Sequence, residues 1–292
     1  MRVTLGIATY LRNEVLIETI RQALRLQPPP DEIIVVDQTP IHDTKTDDFL
    51  NACHKQGVIQ YIKHDSPSLP KARNRILAES KNNIVIFIDD DVELPESYIA
   101  SHAANYVDED IVLVAGPSLT KAQLDAHLQS VEQEVMRRPA DSWQDVRGCN
   151  HSVRRQSAIE AGGYDENFIA SAGGEEGDFS ERLREKSGGK QVYDPNAWLI
   201  HLRSPSGGCR IPKNPSWSEW QKTVGPWLYI FRHHKKHQFN FLYWIFRYGP
   251  GRRENILQPW RQPGAWMSFV YAAFVARRMV KKVSSPFNWK VT

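Results

Sequence analysis

From Val3 onward the apolar positions fall in short continuous blocks separated by longer amphipathic stretches. A strand covered on both faces reads as an unbroken apolar run, whereas a helix with one buried face shows apolar residues three to four apart. On this basis the blocks predict strands over Val3 to Ala8, Glu32 to Val36, Val58 to Ile62, Ile84 to Ile88 and Ile111 to Ala115, the last closed by Gly116-Pro117. Helices are predicted over Glu14 to Leu26 and from about Leu69 to Ser80. Strands alternating with helical stretches of this length imply βαβ units and a parallel sheet.

The pattern changes beyond Pro117. Ala122 to Met136 is helix-like, Cys149 to Val153 reads as a strand, and Arg155 to Ala161 as a short helix ended by Gly162-Gly163. Ala172 to Leu183 is a glycine-rich loop, AGGEEGDFSERL, entering a helix that runs to about Lys186. Gln191 to Tyr193 and Ala197 to Leu202 are expected as short strands, the second carrying His201. No internal repeat or low-complexity tract is present.

The strands deliver polar residues at their carboxyl ends: Thr9 and Tyr10, then Asp37, then the triplet Asp89, Asp90 and Asp91. Open parallel sheets bind ligands there. Three adjacent carboxylates repel one another unless a cation neutralises them, so the reading is a divalent cation holding a phosphorylated ligand; the bland alternative is a solvated acidic turn. Neither a GxGxxG nor a GxxxxGK[ST] stretch occurs, which removes the dinucleotide fingerprint and the P-loop. Glu175, Glu176 and Asp178 suit a helix amino terminus electrostatically, but paired acids on a glycine loop also form a plausible general-base arrangement.

Composition bounds the rest. A chain of 292 residues holds one large α/β domain or two smaller ones. Its three cysteines, Cys53, Cys149 and Cys209, are far apart, which argues against a disulfide framework or structural zinc and for a reducing, cytoplasmic compartment. The amino terminus turns charged too quickly for a signal peptide, and the longest apolar stretch, Trp266 to Ala276, is too short to span a bilayer. The net charge of +3 hides an asymmetry: up to Leu202 there are 21 Lys/Arg against 32 Asp/Glu, and from Arg203 onward 16 against 2, with seven of the nine tryptophans. A basic, aromatic-rich tail suits an anionic partner, whether membrane surface, nucleic acid or phosphorylated acceptor, or else it is a packed helical subdomain.

Several segments, taken in order, resemble the inverting nucleotide-sugar transferases of glycosyltransferase family 2. They are Ala8-Thr9-Tyr10, Val35-Val36-Asp37, Ala72-Arg73-Asn74 and Phe87-Ile88-Asp89-Asp90-Asp91, then Gly148 to Arg155, Gly162 to Phe168, and Gly174-Glu175-Glu176 through Asp178 to Leu183. The resemblance implies a glycosyltransferase A-type fold: a mixed, mostly parallel α/β sheet flanked by helices, followed here by the basic, aromatic-rich helical extension. It divides the chain into a donor-binding half (1–118), an acceptor-binding and catalytic half of the same domain (119–208) and the extension (209–292).

Carried over by position, Asp37 would bond the donor's base, with Thr9 and Tyr10 lining that pocket and Arg73 approaching the nucleotide or its diphosphate. Asp89 and Asp91 would be the DxD acids. Asp91 would bind a metal, Mn2+ or Mg2+, that bridges the diphosphate; Asp89, also counted among the metal residues, would act on the ribose side or through water. Asp90 and Asn150 would lie on the donor side, though strand alternation turns Asp90 away and reduces its weight. Glu176 occupies the position of the catalytic base, Glu175 would orient the acceptor, and His201 resembles the histidine that completes the metal shell. Tyr10-Leu11 and Asp37-Gln38-Thr39-Pro40 depart from the family's turns, so the resemblance leaves a UDP-, dTDP- or GDP-sugar open.

The implied reaction is metal-dependent inverting transfer of a hexosyl or related sugar to a saccharide or glycolipid hydroxyl, in polysaccharide or glycolipid assembly. The tail would then dock the acceptor or an anionic membrane surface, with the protein peripheral on the cytoplasmic face and without nucleic acid as partner. A nucleotidyltransferase also places acids at strand ends. A non-catalytic nucleic-acid or membrane-binding protein would use the tail alone, but no RNP-like, zinc or helix-turn-helix signature supports it.

Overall fold

The structure, a computed structural model, describes residues 1–132, 137–141, 144–169, 173–208, 220–233, 242, 246–247 and 249–287. Its strands are β1 (Val3–Thr9), β2 (Glu32–Asp37), β3 (Gln60–Lys63), β4 (Ile84–Asp89), β5 (Val92–Glu93), β6 (Ile111–Ala115), β7 (Ser118–Leu119), β8 (Arg138–Pro139), β9 (Asn150–Arg154), β10 (Lys190–Tyr193) and β11 (Leu199–His201). The helices used below are α1 (Glu14–Ala23), α2 (Thr44–Lys55), α3 (Leu69–Glu79), α4 (Tyr98–Ala103), α5 (Leu124–Glu132), α6 (Arg155–Glu160), α7 (Glu175–Ser187) and α8 (Trp220–Arg232).

Eight strands form one sheet in the order β3-β2-β1-β4-β9-β6-β10-β8. β9 runs antiparallel to both β4 and β6, and β8 antiparallel to β10; the remaining strands share one direction. The sheet is therefore mixed and mostly parallel, as expected. Both faces are covered. Ile84, Ile86 and Ile88 pack with Leu16 and Ile20 of α1 on one side, and Val85 and Phe87 pack with Ile76 and Leu77 of α3 on the other. This two-sided burial is why the strands carry no polar alternation. Gly6 permits close approach of α3, because a Cβ there would stand 2.5 Å from Cγ2 of Ile76.

Several predicted boundaries move. The second strand extends to Asp37, the third is shifted to Gln60–Lys63, and α1 ends at Ala23. α2 was not anticipated: its lysines, threonines and aspartates dilute the apolar signal, and only Thr46, Leu50 and Cys53 are buried. The helix expected over Ala122 to Met136 begins as a 3-10 turn and ends at Glu132, beyond which residues 133–136 lie outside the described set. The Ala197 to Leu202 strand contracts to β11, which leaves the main sheet to form a small one, β5-β11-β7.

The basic, aromatic-rich segment folds back on the second half. α8 and the helix Gln262–Met279 share a small core of Phe168, Val224, Leu228, Ala272 and Ala276. Arg232 pairs with Asp165 at 2.7 Å and Asp178 at 3.0 Å, and the Ser284 amide donates to Asp165 at 2.8 Å. Asp178, fully buried on α7, is held far below the usual carboxylate range: burial opposes its charge, but Arg182, Arg232 and His233 outweigh it. Cys209, Trp217, the run His234 to His237 and most of Phe239 to Tyr248 lie outside the described residues.

Candidate active site

The triplet emerges where β4 ends beside β1, with Asp89 paired in register with Ala8. Its first and third members face His201, which the ladder between β11 and β5 sets opposite Val92. His201 Nε2 lies 3.3 Å from Asp89 Oδ2 and 3.3 Å from Asp91 Oδ1. The hydrogen bond to Asp89 raises the imidazole's affinity for a proton, and burial opposes this. Asp89, His201 and Cys149 also present an oxygen, a nitrogen and a sulfur within 4.8 Å of one another. Cys149 was not anticipated here. Its thiol is 3.3 Å from the Ser118 hydroxyl, and burial pushes it up to about 12. The donor set fits a divalent cation.

Asp90 turns the other way. It accepts from the Thr9 hydroxyl at 2.7 Å and from Arg12 Nε at 3.2 Å, and burial pushes its carboxyl up to about 7. Arg12 reaches on to Asp91 Oδ2 at 3.2 Å and to the Ser204 carbonyl at 3.4 Å. Two expectations change as a result. Asp90 and Thr9, expected to touch the donor, bond each other in the interior. Part of the repulsion that called for a cation is answered by a buried guanidinium instead. The chain beyond β11 closes over this turn: the Ser204 amide donates to Asp91 Oδ2 at 2.7 Å, and the Gly208 amide to the Tyr10 carbonyl at 2.7 Å.

Asp37 is completely buried at the end of β2. Its Oδ2 meets Tyr61 Oη at 2.7 Å, Lys63 Nζ at 2.8 Å and His42 Nε2 at 2.8 Å, while its Oδ1 accepts the Thr39 amide at 2.8 Å. Burial alone would raise this carboxyl, but Lys63, Tyr61 and Thr39 hold it below its ordinary value. These groups occupy the carboxylate; Lys63, bonded also to the Thr39 carbonyl at 2.7 Å, is half-exposed.

Asn150, expected on the donor side, is also fully buried. Its amide donates to the Pro117 carbonyl at 2.7 Å and the Ala197 carbonyl at 2.8 Å; its oxygen accepts from Tyr98 at 2.8 Å and lies 3.1 Å from His102 Nε2. These bonds tie β9 to α4 and to the loops at Pro117 and Ala197.

Across the sheet edge, α7 starts after Gly174, whose φ of 97° admits glycine readily. Glu175 and Glu176 open its first turn. Arg73 of α3, fully buried, donates from Nη1 to Glu176 Oε1 at 3.3 Å and lies 3.9 Å from Glu175 Oε1. Beneath it, the Tyr164 ring sits 5.2 Å from the guanidinium carbon. Burial, with the adjacent Glu176, pushes the Glu175 carboxyl up to about 8, so it carries a proton at neutral pH. Glu176 is more open and lines a cleft of about 320 Å³ with Gln144, Val146, Arg147, Gly148 and Gly173. Gly148 makes room for the pair: a Cβ would stand 1.9 Å from Arg73 Nη2 and 2.2 Å from Glu176 Oε1. A larger hollow, about 770 Å³, lies at the opposite, amino-terminal edge of β2 beside Arg2, Pro29 and Gln60, far from the triplet and Glu176.

Thus Asp89, Asp91 and His201 converge, Arg73 joins Glu176, and Tyr10 remains half-buried at the rim. Arg12, Cys149 and Gly148 were missed. Arg12 alone had a readable signal, as a cation directly after the turn that ends β1.

Comparison with known proteins bears on the fold and the family. Among solved structures, the Staphylococcus aureus TarS fragment 1-349 in complex with UDP-GlcNAc superposes with a TM-score of 0.65 at 12% identity, covering 96% of this chain and 84% of that one. The mannosyltransferase PcManGT of Pyrobaculum calidifontis, in complex with GDP-Man and Mn2+, gives 0.57 at 15% identity over 98% and 81%. At these identities the likeness establishes the fold, which is the glycosyltransferase A type. In sequence, the chain is 26% identical over 179 residues to a pre-mycofactocin glycosyltransferase of Mycobacterium tuberculosis, covering 58% of this chain but only 37% of that relative. The family model for glycosyl transferase family 2 matches residues 4–159, more than half of the chain, and the chain belongs to that family.

Proposed function

We propose that this protein moves a sugar from a nucleoside-diphosphate sugar to an acceptor hydroxyl, with inversion and with a divalent cation. One observation carries the reading: Gly148 packs against the Arg73–Glu176 pair, and the next residue, Cys149, lies within 4.8 Å of ligand atoms of Asp89 and His201, which supports reading the base candidate and the cation ligands as one site. Two solved neighbours are complexes with GDP-Man and with UDP-GlcNAc, which supports a nucleotide-sugar donor.

Glu176 accepts the proton of the acceptor hydroxyl as that oxygen attacks the anomeric carbon and the bond from that carbon to the diphosphate oxygen breaks. Arg73 fixes Oε1 of Glu176, and the residue lines the cleft. Protonated Glu175, next to Glu176 and 3.9 Å from Arg73, would help to orient the base or the acceptor. A positioned base contributes about 10²–10⁴-fold. Asp89, Asp91 and His201 would hold the cation, with Cys149 beside them; when bound it supplies positive charge opposite the leaving diphosphate. Residues 1–118 form the donor side, 119–208 the acceptor side and 209–292 the extension in this reading, and the unpaired Cys53 and Cys149 suit a reducing compartment such as the cytoplasm.

The test is a thermal-shift screen of UDP-, dTDP- and GDP-sugars with Mn2+ or Mg2+, followed by product analysis with the stabilising donor and a panel of saccharide and glycolipid acceptors. A donor that binds the native state raises its midpoint. Release of nucleoside diphosphate is expected; release of pyrophosphate would establish the nucleotidyltransferase instead.

A further inference from the structure

Among the described residues, the helix Gln262–Met279 has two apolar faces and packs one of them on α8. Ala265, Ser268, Ala272 and Ala276 point inward, the last two against α8. Met267, Val270 and Phe274, spaced on the opposite face, are 56%, 63% and 56% exposed, with Trp266 and Trp260 open beside them. From Gln262 to Ala276 the sequence QPGAWMSFVYAAFVA contains no charged residue. A surface helix ordinarily turns charged residues to water, and one that is apolar all round is buried by something. The charges collect at the two ends. Arg252, Arg253 and Arg261 precede the helix, and Arg277, Arg278, Lys281 and Lys282 follow the apolar stretch, Arg278 lying over the Phe274 ring at 5.2 Å.

We propose that this face docks on an anionic membrane surface, the helix lying in the plane of the interface. An apolar stripe with aromatics, flanked by cations, matches that boundary, where side chains enter the acyl region and basic groups meet lipid phosphates. No helix of the described residues is long and apolar enough to cross a membrane, so the contact is peripheral. A second copy of the chain is a poorer occupant. Two tails carrying 16 Lys/Arg against 2 Asp/Glu each would meet with like charge. The inference rests on this face alone and stands independently of the sugar-transfer reading.

The test is flotation of the intact chain with phosphatidylcholine vesicles, with and without phosphatidylglycerol. Flotation is expected only with the anionic lipid, and weaker in high salt. Met267→Ser/Val270→Ser/Phe274→Ser should lower the bound fraction roughly tenfold or more. These side chains are exposed, so the thermal midpoint should stay unchanged. If that variant unfolds, Arg277→Gln/Lys281→Gln carries the test: each lost cation should weaken binding about fivefold on the anionic vesicles. Equal flotation of wild type and variants, no flotation of the wild type, or a wild-type dimer that the serine variant converts to monomer would overturn the proposal.

Discussion

Arg73 donates to Glu176 across 3.3 Å, tying the third helix of the sheet to the first turn of α7. The pair is assembled from residues 103 positions apart and closes only because Gly148 leaves the space between them. A side chain at 148 has no room that does not displace one member. Gly148→Ala should therefore lower kcat by about 10²-fold, the loss expected when a base is misplaced by an ångström or so, while donor affinity changes little. Steady-state kinetics separate the two; a parallel loss of donor binding would place Gly148 in the nucleotide pocket instead.

Arg12 is expected to matter for folding before it matters for binding. Its guanidinium pairs with Asp90 and Asp91, and the side chains concerned are almost wholly buried. Removing one partner of a buried pair costs about 3–5 kcal/mol. Arg12→Ala should lose stability on that scale in urea unfolding, and Asp90→Asn should cost less, since burial already favours the protonated acid. An Arg12→Ala protein as stable as wild type would show that the pair contributes little.

Stability should fall as pH rises through neutrality. Glu175 is pushed up to about 8 and Asp90 to about 7, from ordinary values of 4.5 and 3.8. Between those values the native state holds protons that the unfolded chain has lost, so each contribution is full below the lower pH and gone above the higher one. Glu175→Gln mimics the protonated acid and should flatten the decline between pH 5 and about 8. Thermal midpoints of both proteins across that range decide it; parallel curves would remove Glu175 as a source.

The parts of the site that ride on β1, β2 and β4 were legible because strands buried on both faces leave continuous apolar runs whose last residues can be named. Thr9, Asp37 and Asp89 were placed that way. Which way their side chains point was less legible. The alternation that turned Asp90 inward was foreseen, but Thr9 and Asn150 look like ligand-binding residues in sequence and are consumed by internal hydrogen bonds. Cys149 joins His201 through the two-residue strands β5 and β7, which carry no periodicity to read. α2 was hidden by its polar composition.

Cation binding should depend on the same cluster. Co2+ titrated into the protein should give a thiolate-to-metal charge-transfer band if Cys149 joins Asp89 and His201 around the ion, since a coordinating thiol is deprotonated by the metal. Cys149→Ser should abolish the band and His201→Ala should weaken binding. A Co2+ spectrum without that band, unchanged in Cys149→Ser, would restrict the ligands to the acids and the histidine.

Everything proposed for this site turns on Glu176 acting as the base of a sugar transfer. The most direct measurement is single-turnover transfer by Glu176→Gln, with donor binding followed in the same preparation. Donor affinity is expected to stay within a few-fold of wild type and transfer to fall by about 10²–10⁴-fold. Near-normal turnover, or loss of donor binding in that variant, would contradict it.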